Sequence, residues 1–425
     1  MERRDFIKMC SVAGLGVVSS GVPMSKLANA GDKDLFWVFV SAGGGWEHTH
    51  LCDPKGDKIN SEDYAVNLDF AEGDIGVAGN IEYAPVVPFS KEFFDTYHPM
   101  TTVIRGIDCE TNGHDTGQRN TFSGRLTENT PCFGALYAGA VAGKLPMTFI
   151  TNGGYSYTGG VVAPTRIGNT NALAALIYPN RVTPNNEDSE KYLSDKSMIR
   201  IREALTARTE VMRDDQKLPR INNAMDLLYT SRLGMGEIAG LDEYLKYLEP
   251  LGNGMERQAK IILASFKAGL SQSATMSRGG FDTHGNSDQG TTNALDSLLR
   301  GVDALWKAAA HKDIDLADRL MVVIGSDFGR TPTYNPAMGK DHWSVGQMLL
   351  QTNPSNGIKG NRIIGGTTDT LKYRKVNPNT LELSDGGVAI RNSMIHKWFR
   401  KFAKIEDDKN VNLYPIATED DIDLS

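Results

Sequence analysis

The apolar positions of this chain fall into short unbroken runs and longer periodic stretches. Leu35-Phe36-Trp37-Val38-Phe39-Val40 is a continuous apolar run that empties into Ser41-Ala42-Gly43-Gly44-Gly45, the pattern of a strand buried on both faces and followed by a loop. Thr102-Val103-Ile104, Met147-Thr148-Phe149-Ile150 and Leu320-Met321-Val322-Val323-Ile324 repeat it. Met255, Ala259, Ile262, Leu263, Phe266 and Leu270 mark one face of a helix that Gly269 stops, and Leu295, Leu298, Leu299, Val302, Leu305 and Trp306 mark another. Phe133 to Ala142 is small and apolar enough for a close-packed crossover helix. The stretch from about 188 to 251 is charged, heptad-like in places and poor in glycine, and predicts a helical insertion. Alternation over 370–383 suggests an antiparallel hairpin, and Val388 to Phe402 a closing helix, so that the C-terminal subregion spans about 370–403. Strands alternating with helices predict one α/β domain over residues 31–425, a mixed and mostly parallel central sheet sandwiched by helices. In such sheets ligands sit beyond the carboxyl ends of the strands.

Residues 1–30 follow a different pattern. Arg3-Arg4-Asp5-Phe6-Ile7-Lys8 is a twin-arginine sequence, the run from Met9 to Val22 is weakly apolar, and Ala28-Asn29-Ala30 suits a peptidase that accepts small side chains. The expectation is a signal peptide cleaved after Ala30, carried by the twin-arginine translocase to the periplasm or the exterior. No later stretch offers roughly 18 consecutive apolar residues, which predicts no stable membrane span. The leader holds Arg3, Arg4, Lys8 and Lys26 against Glu2 and Asp5, so of 45 basic and 52 acidic residues the mature chain keeps 41 and 50, a net charge of −9. A modestly acidic surface argues against nucleic acid as a partner. The mature cysteines, Cys52, Cys109 and Cys132, are odd in number and lack C-x-x-C spacing. That excludes a disulfide framework and a thiolate zinc site, and leaves open whether one pair bridges.

Candidate chemistry concentrates in the loops after the predicted strands. Gly280-Phe281-Asp282-Thr283-His284-Gly285-Asn286 sets a carboxylate and an imidazole two residues apart, Ser326-Asp327-Phe328-Gly329-Arg330 ends another strand, and Gly339-Lys340-Asp341-His342-Trp343 follows. The Glu47-His48-Thr49-His50 loop comes after the first strand. Carboxylate and imidazole together suit zinc, manganese or iron better than calcium, which prefers oxygen alone. Of the eight histidines, five (His48, His50, His114, His284 and His342) lie in such loops, so ligands distant in the chain can converge at one sheet edge. Arg330 and Arg119 are candidate anion clamps, because a guanidinium matches phosphate or sulfate oxygens in pairs; a structural salt bridge is the other reading of each. Thr116, near the start of a predicted helix, is either a reactive hydroxyl or an N-cap. The loop from Asn152 to Gly160 offers aromatic and hydroxyl groups to a sugar-sized cleft, or forms a surface turn.

The twin-arginine start, the Gly-Gly-Trp-Glu loop, the Asn112-Gly113-His114 segment ending Ser123-Gly124-Arg125, and the runs GGFDTHGN, SDFGRTP and GKDHW together resemble a family of exported proteins of unknown function. That family falls within the alkaline phosphatase/sulfatase-like superfamily, and the resemblance covers most of the mature chain in order. It implies an alkaline-phosphatase-like fold and a divalent ion, zinc or manganese before calcium or magnesium. Asp282 and His284 look like one ligand pair, Asp327 like the carboxylate of the next strand end, and His342 like a late imidazole that Asp341 joins or orients. Glu47 falls where relatives often carry Asp. Phe328 stands where alkaline phosphatases and sulfatases generally have His. Counting back from Ser123 to the nucleophile position lands on His114, which has no hydroxyl or thiol. Two alternatives follow: Thr116 is the nucleophile, or His114 is a further ligand and water attacks directly. The function implied is an exported metal-dependent hydrolase of phosphate or sulfate esters, with glycan esters among the candidate substrates. Its rival is a non-catalytic binding or assembly protein that keeps a degenerate form of the fold.

Overall fold

The first strand organises the molecule because both of its faces are apolar. In the computed structural model, which describes residues 34–142, 145–166, 178–184, 186, 188–219, 221, 222, 224, 225, 239–418 and 420–425, it is β1, Phe36–Ala42, buried along its whole length. Val38, Val40 and Ala42 enter one core and Trp37 and Phe39 the other, so helices must cover both sides of the sheet. The segment expected to be a signal peptide, residues 1–30, lies outside the described residues.

The strands that follow are β2 Gly76–Ala78, β3 Ile81–Tyr83, β4 Thr101–Asp108, β5 Phe149–Thr151, β6 Pro164–Thr165 and β7 Ser273–Arg278. After them come β8 Leu320–Ser326, β9 Gly329–Arg330, β10 His342–Trp343, β11 Val345–Thr352 and β12 Arg362–Gly365. Eight of them form the central sheet in the order β12-β4-β11-β8-β1-β7-β5-β6. The β1 strand pairs in parallel with β7 and β8, β5 with β6 and β7, and β12 with β4, whereas β11 runs antiparallel to both neighbours. The sheet is therefore mostly parallel, with helices on both faces. One core lies beneath helices Ser90–Tyr97, Gly254–Lys267 and Ser287–Ala309, and the other beneath Phe133–Ala142 and Asn392–Phe402.

The reversed direction of β11 matters for function. All the other strands of the sheet run one way, so the ends of β1, β4, β7 and β8 share an edge. Because β11 starts at that same edge, the residues just before it, Asp341 and His342, are delivered there too.

Several elements differ from the sequence reading. Strand β11 interrupts its apolar positions with Gln347 and Gln351, both buried, which hides it from a hydrophobicity pattern. Gln351 accepts from Trp306 Nε1 at 2.8 Å and donates to Thr101 Oγ1 at 2.9 Å, so its amide is satisfied. The alternation over 370–383 yields isolated bridges, Val376 to Leu383 and Val376 to Val388, and no strand pair. Taking Val388 into a bridge delays the closing helix, which starts at Asn392 with Arg391 extended as its N-cap. Within 188–251 the described helices are Asp195–Asp215 and Ala239–Tyr247. Cys52, Cys109 and Cys132 are free and buried, and no bridge forms. Burial pushes the Cys132 thiol up to about 12, far from a reactive thiolate. No helix among the described residues is long and apolar enough to cross a membrane.

The closing helix docks through His396, which is fully buried and donates from Nε2 to the Thr121 carbonyl at 2.8 Å. Burial pulls its pKa from 6.5 down to about 3. The folded chain thus refuses a proton that the unfolded chain accepts, so this residue's contribution to stability is complete above 6.5 and is lost as the pH falls from 6.5 toward 3. Thermal unfolding across that window should show the melting temperature of the wild type falling with pH. His396→Gln should show a shallower dependence even if it melts lower throughout.

Candidate metal centre

Three glycine-rich or turning loops meet at the carboxyl edge of the sheet, and Arg330 fastens them. Its side chain is fully buried and donates from Nε to the Gly45 carbonyl at 2.6 Å and from Nη1 to the Lys340 carbonyl at 3.0 Å. The Nη2 group reaches the Gly44 carbonyl, the Phe281 carbonyl at 3.0 Å and Asp282 Oδ1 at 2.7 Å. A guanidinium fully buried, with all three nitrogens engaged by these acceptors, is not presented to a substrate anion, and this corrects the expectation of Arg330 as a catalytic clamp. Gly44 allows the approach: at φ +122° it sits against the backbone of Phe281 and Asp282, where any side chain would collide.

Around Asp282 the structure gathers His114, His284 and His342. His284 Nε2 lies 3.0 Å from Asp282 Oδ1 and 3.0 Å from His342 Nε2. His342 Nε2 lies 3.3 Å from Asp282 Oδ1, and His114 Nε2 lies 3.5 Å from Asp282 Oδ2. Each imidazole is held from behind through Nδ1: His114 by Asp327 Oδ2 at 2.8 Å, His284 by Asp341 Oδ1 at 2.9 Å, and His342 by the Asn112 carbonyl at 2.8 Å. An acceptor at Nδ1 places the proton there and leaves the Nε2 lone pair facing inward. Three lone pairs and a carboxylate then point at one another, an arrangement that needs a positive charge among them. Outer acceptors of this kind are what metal-bound histidines have. Ligand atoms of a tetrahedral zinc site stand ~3.3 Å apart, so the separations fit such an ion. His114, Asp282 and His342 each offer an atom within 4.8 Å of the other two.

The charges agree with this arrangement. Burial works to raise the Asp282 carboxyl, but the Arg330 hydrogen bond and charge, with His342 and His114, hold it below the ordinary carboxylate range. Asp341 is lowered chiefly by its hydrogen bond to His284. Burial raises Asp327, against the pull of His114. Its Oδ2 also accepts from the Gly44 amide at 3.1 Å and Gln118 Nε2 at 3.5 Å, whereas Oδ1 is buried with no partner among the described residues.

Not every residue singled out from the sequence joins the group. Asp327 and Asp341 stand behind histidines as orienting carboxylates. Thr116 is in the first turn of helix His114–Ser123, whose N-cap is Gly113, and its Oγ1 accepts from Arg119 Nη2 at 3.4 Å. It is neither an N-cap nor next to a base. Glu47 is elsewhere: fully buried, it accepts from Thr49 Oγ1 at 2.5 Å and pairs with the equally buried Lys340 Nζ at 3.0 Å. Burial alone would raise its carboxyl, but Lys340, His50, His48 and the Thr49 hydrogen bond together hold it low. Sequence reasoning missed Asn112 as an acceptor, since a backbone carbonyl leaves no residue-type signal.

A second group, His50 with Asp69 and Asp288, also brings ligand atoms together. His50 Nε2 lies 2.9 Å from Asp69 Oδ2 and 3.7 Å from Asp288 Oδ1. A metal on Nε2 would force the proton to Nδ1, which is buried with no acceptor among the described residues. This group is better satisfied as a histidine donating to Asp69.

Fold and site together define a mixed α/β protein with a histidine-carboxylate centre at the carboxyl edge of its sheet. The model of a family of proteins of unknown function (DUF1501) matches residues 265–383, the stretch that carries Asp282, His284, Asp327, Arg330, Asp341 and His342. No curated protein matches the chain. Among solved structures, the PsFucS1 sulfatase from Pseudoalteromonas sp. is similar at a TM-score of 0.38 and 8% identity, covering 100% of this chain and 78% of that one. A structure described as Ps i-CgsB in complex with k-i-k-neocarrahexaose gives 0.37 and 8%, covering 90% and 74%. A 2-O GAG sulfatase gives 0.33 and 9%, covering 89% and 72%. Overlays this loose lend the chain no activity.

The Glu47–Lys340 pair anchors the segment that bears Asp341 and His342. Glu47→Gln should leave the Lys340 ammonium buried without a counter-ion and cost about 3–5 kcal/mol in chemical denaturation. Replacing both residues, Glu47→Leu with Lys340→Met, should recover most of that loss.

Proposed function

We propose that His114, Asp282 and His342, with His284 beside them, hold a divalent ion, zinc or manganese before calcium or magnesium. The protein is then a metal-dependent hydrolase of phosphate or sulfate esters, of the alkaline phosphatase/sulfatase-like kind, with glycan esters as the candidate substrates. The observation that carries this reading is the set of three imidazoles, each held at Nδ1 and each turned by Nε2 toward one carboxylate. When bound, such an ion polarises an ester oxygen and lowers the pKa of water.

The residues of the chain supply the rest. Asp327, Asp341 and the Asn112 carbonyl keep the protons on the outer nitrogens, and Arg330 keeps Asp282 ionised. Helix His114–Ser123 begins at the site without a side-chain cap, so the amides of its first turn favour an anionic group placed beside His114. Asp282 and His284 have side chains 49% and 47% exposed, which favours substrate access over a closed structural ion. Thr116 orients Arg119 in this reading and is not the nucleophile, which leaves water to attack. The leader read from Arg3 and Arg4 assigns this activity to the periplasm or the exterior, after passage through the twin-arginine translocase.

One observation favours the rival class, an exported binding or assembly protein with a structural ion. No hydroxyl or thiol among the described residues stands in the site next to a base, and Arg330 is committed to the loops. Thermal unfolding and hydrolysis of aryl phosphate and aryl sulfate esters, measured side by side for the metal-replete wild type and His284→Ala, separate the two. A hydrolase should lose activity about 100-fold or more with little change in melting temperature. A wild type inactive on both ester classes, with a variant that melts far lower, would instead establish a structural ion whose binding energy is folding energy.

A further inference from the structure

We propose that Phe328 is a positioning residue that fixes the planes of His114 and His342 and closes the space beside Asp327, so that the centre takes one divalent ion and no second. The inference rests on the metal reading of the site and adds to it the number of ions and the side chain that sets it.

The Phe328 ring is buried and lies against both imidazoles, its centroid 5.0 Å from that of His114 at 37° and 4.6 Å from that of His342 at 43°. Offset, tilted contacts at this range are favourable between aromatic rings. Each imidazole is thus constrained twice, by an acceptor at Nδ1 and by a ring against its face, and rotation about its Cβ–Cγ bond would break both contacts. The backbone makes room for the ring. Gly45, at φ +74°, lies so close that a Cβ would overlap its edge, and a Cβ on Gly117 would strike the Asp327 carbonyl and the same ring. Two glycines from separate loops accommodate one phenyl group, so its place is built into the fold.

What the ring excludes follows from its neighbour. Asp327 is fully buried and its Oδ1 has no partner among the described residues. A carboxylate oxygen without such a partner, on the residue whose other oxygen holds His114, is an available ligand for another ion. The next side chain, the Phe328 ring packed on His114 and His342, has no lone pair to give. Hydrocarbon there offers a second cation no ligand, and of the imidazoles the Asp327 carboxylate holds His114.

The test counts ions. Chelator-stripped protein is titrated with zinc chloride by calorimetry, the bound zinc is measured by elemental analysis after desalting, and the visible spectrum of the cobalt-substituted form is recorded. The wild type should saturate at one ion per chain. Phe328→Leu should still bind one, about 10–100-fold more weakly and with an altered cobalt spectrum, as expected when support around ligands is lost. Phe328→His should bind two. Saturation of the wild type at two ions would overturn this inference while leaving the metal reading intact. So would a folded Phe328→Leu with unchanged affinity and spectrum, or a folded Phe328→His that stays at one ion. A wild type that binds none would overturn the metal reading and this inference with it. The wild-type count and the leucine variant decide the matter even if the histidine variant does not fold.

Discussion

Arg330 is the constraint on which the rest of the site depends. Its guanidinium satisfies the carbonyls of Gly44, Gly45, Phe281 and Lys340 and the carboxylate of Asp282. Buried carbonyls without donors cost about 1–3 kcal/mol each, so loops that each lack an internal solution become stable only when assembled around this one cation. Assembly fixes Asp282, and Asp282 is the point toward which three imidazoles are turned. The planar, always-charged head of arginine suits this use, since a lysine could reach neither the number nor the spread of acceptors. The buried Glu47–Lys340 pair repeats the logic one layer away, with two charges taken from water and compensated by each other, by Thr49 and by the Val66 carbonyl.

The topology explains why such loops can meet at all. Parallel strands deliver their following loops to one edge, and the reversal of β11 brings the segment before it to the same place. The result is an open centre on a rigid platform, with the proposed ligands drawn from the loops after β4 and β7 and from the segment that leads into β11. Its orienting groups come from still other positions: Asp327 follows β8, Asn112 follows β4, and Asp341 precedes His342. The histidines are therefore held by residues that closely follow or precede paired strands, and pre-organisation of this kind is what a metal site requires.

Much of this was legible in the sequence, and the reasons differ from residue to residue. The runs at 35–40 and 320–324 announced doubly buried strands because burial on both faces admits no polar alternation. Asp282, His284, Asp327 and His342 could be picked out because carboxylates and imidazoles after strand ends are rarely there for packing. Roles were harder to read. Arg330 has the chemistry of an anion clamp, and only its burial shows that the backbone has claimed it. Glu47 has the chemistry of a ligand, but the buried Lys340, ten residues after Arg330, takes it first. His114 stood at the nucleophile position without a hydroxyl or thiol, and only its Nδ1 contact with Asp327 gives the direction of its lone pair. Strand β11 and the Asn112 carbonyl left no usable trace, the first because two buried glutamines disguise it and the second because a backbone atom has no letter.

The central claim is that one cation sits among His114, Asp282 and His342. Diffraction from crystals soaked in zinc, recorded on both sides of the zinc absorption edge, tests it directly. The account predicts a single strong anomalous peak within bonding distance of His114 Nε2, His342 Nε2 and an Asp282 carboxylate oxygen. A map with no peak there, or with its only peak at His50, Asp69 and Asp288, would contradict it.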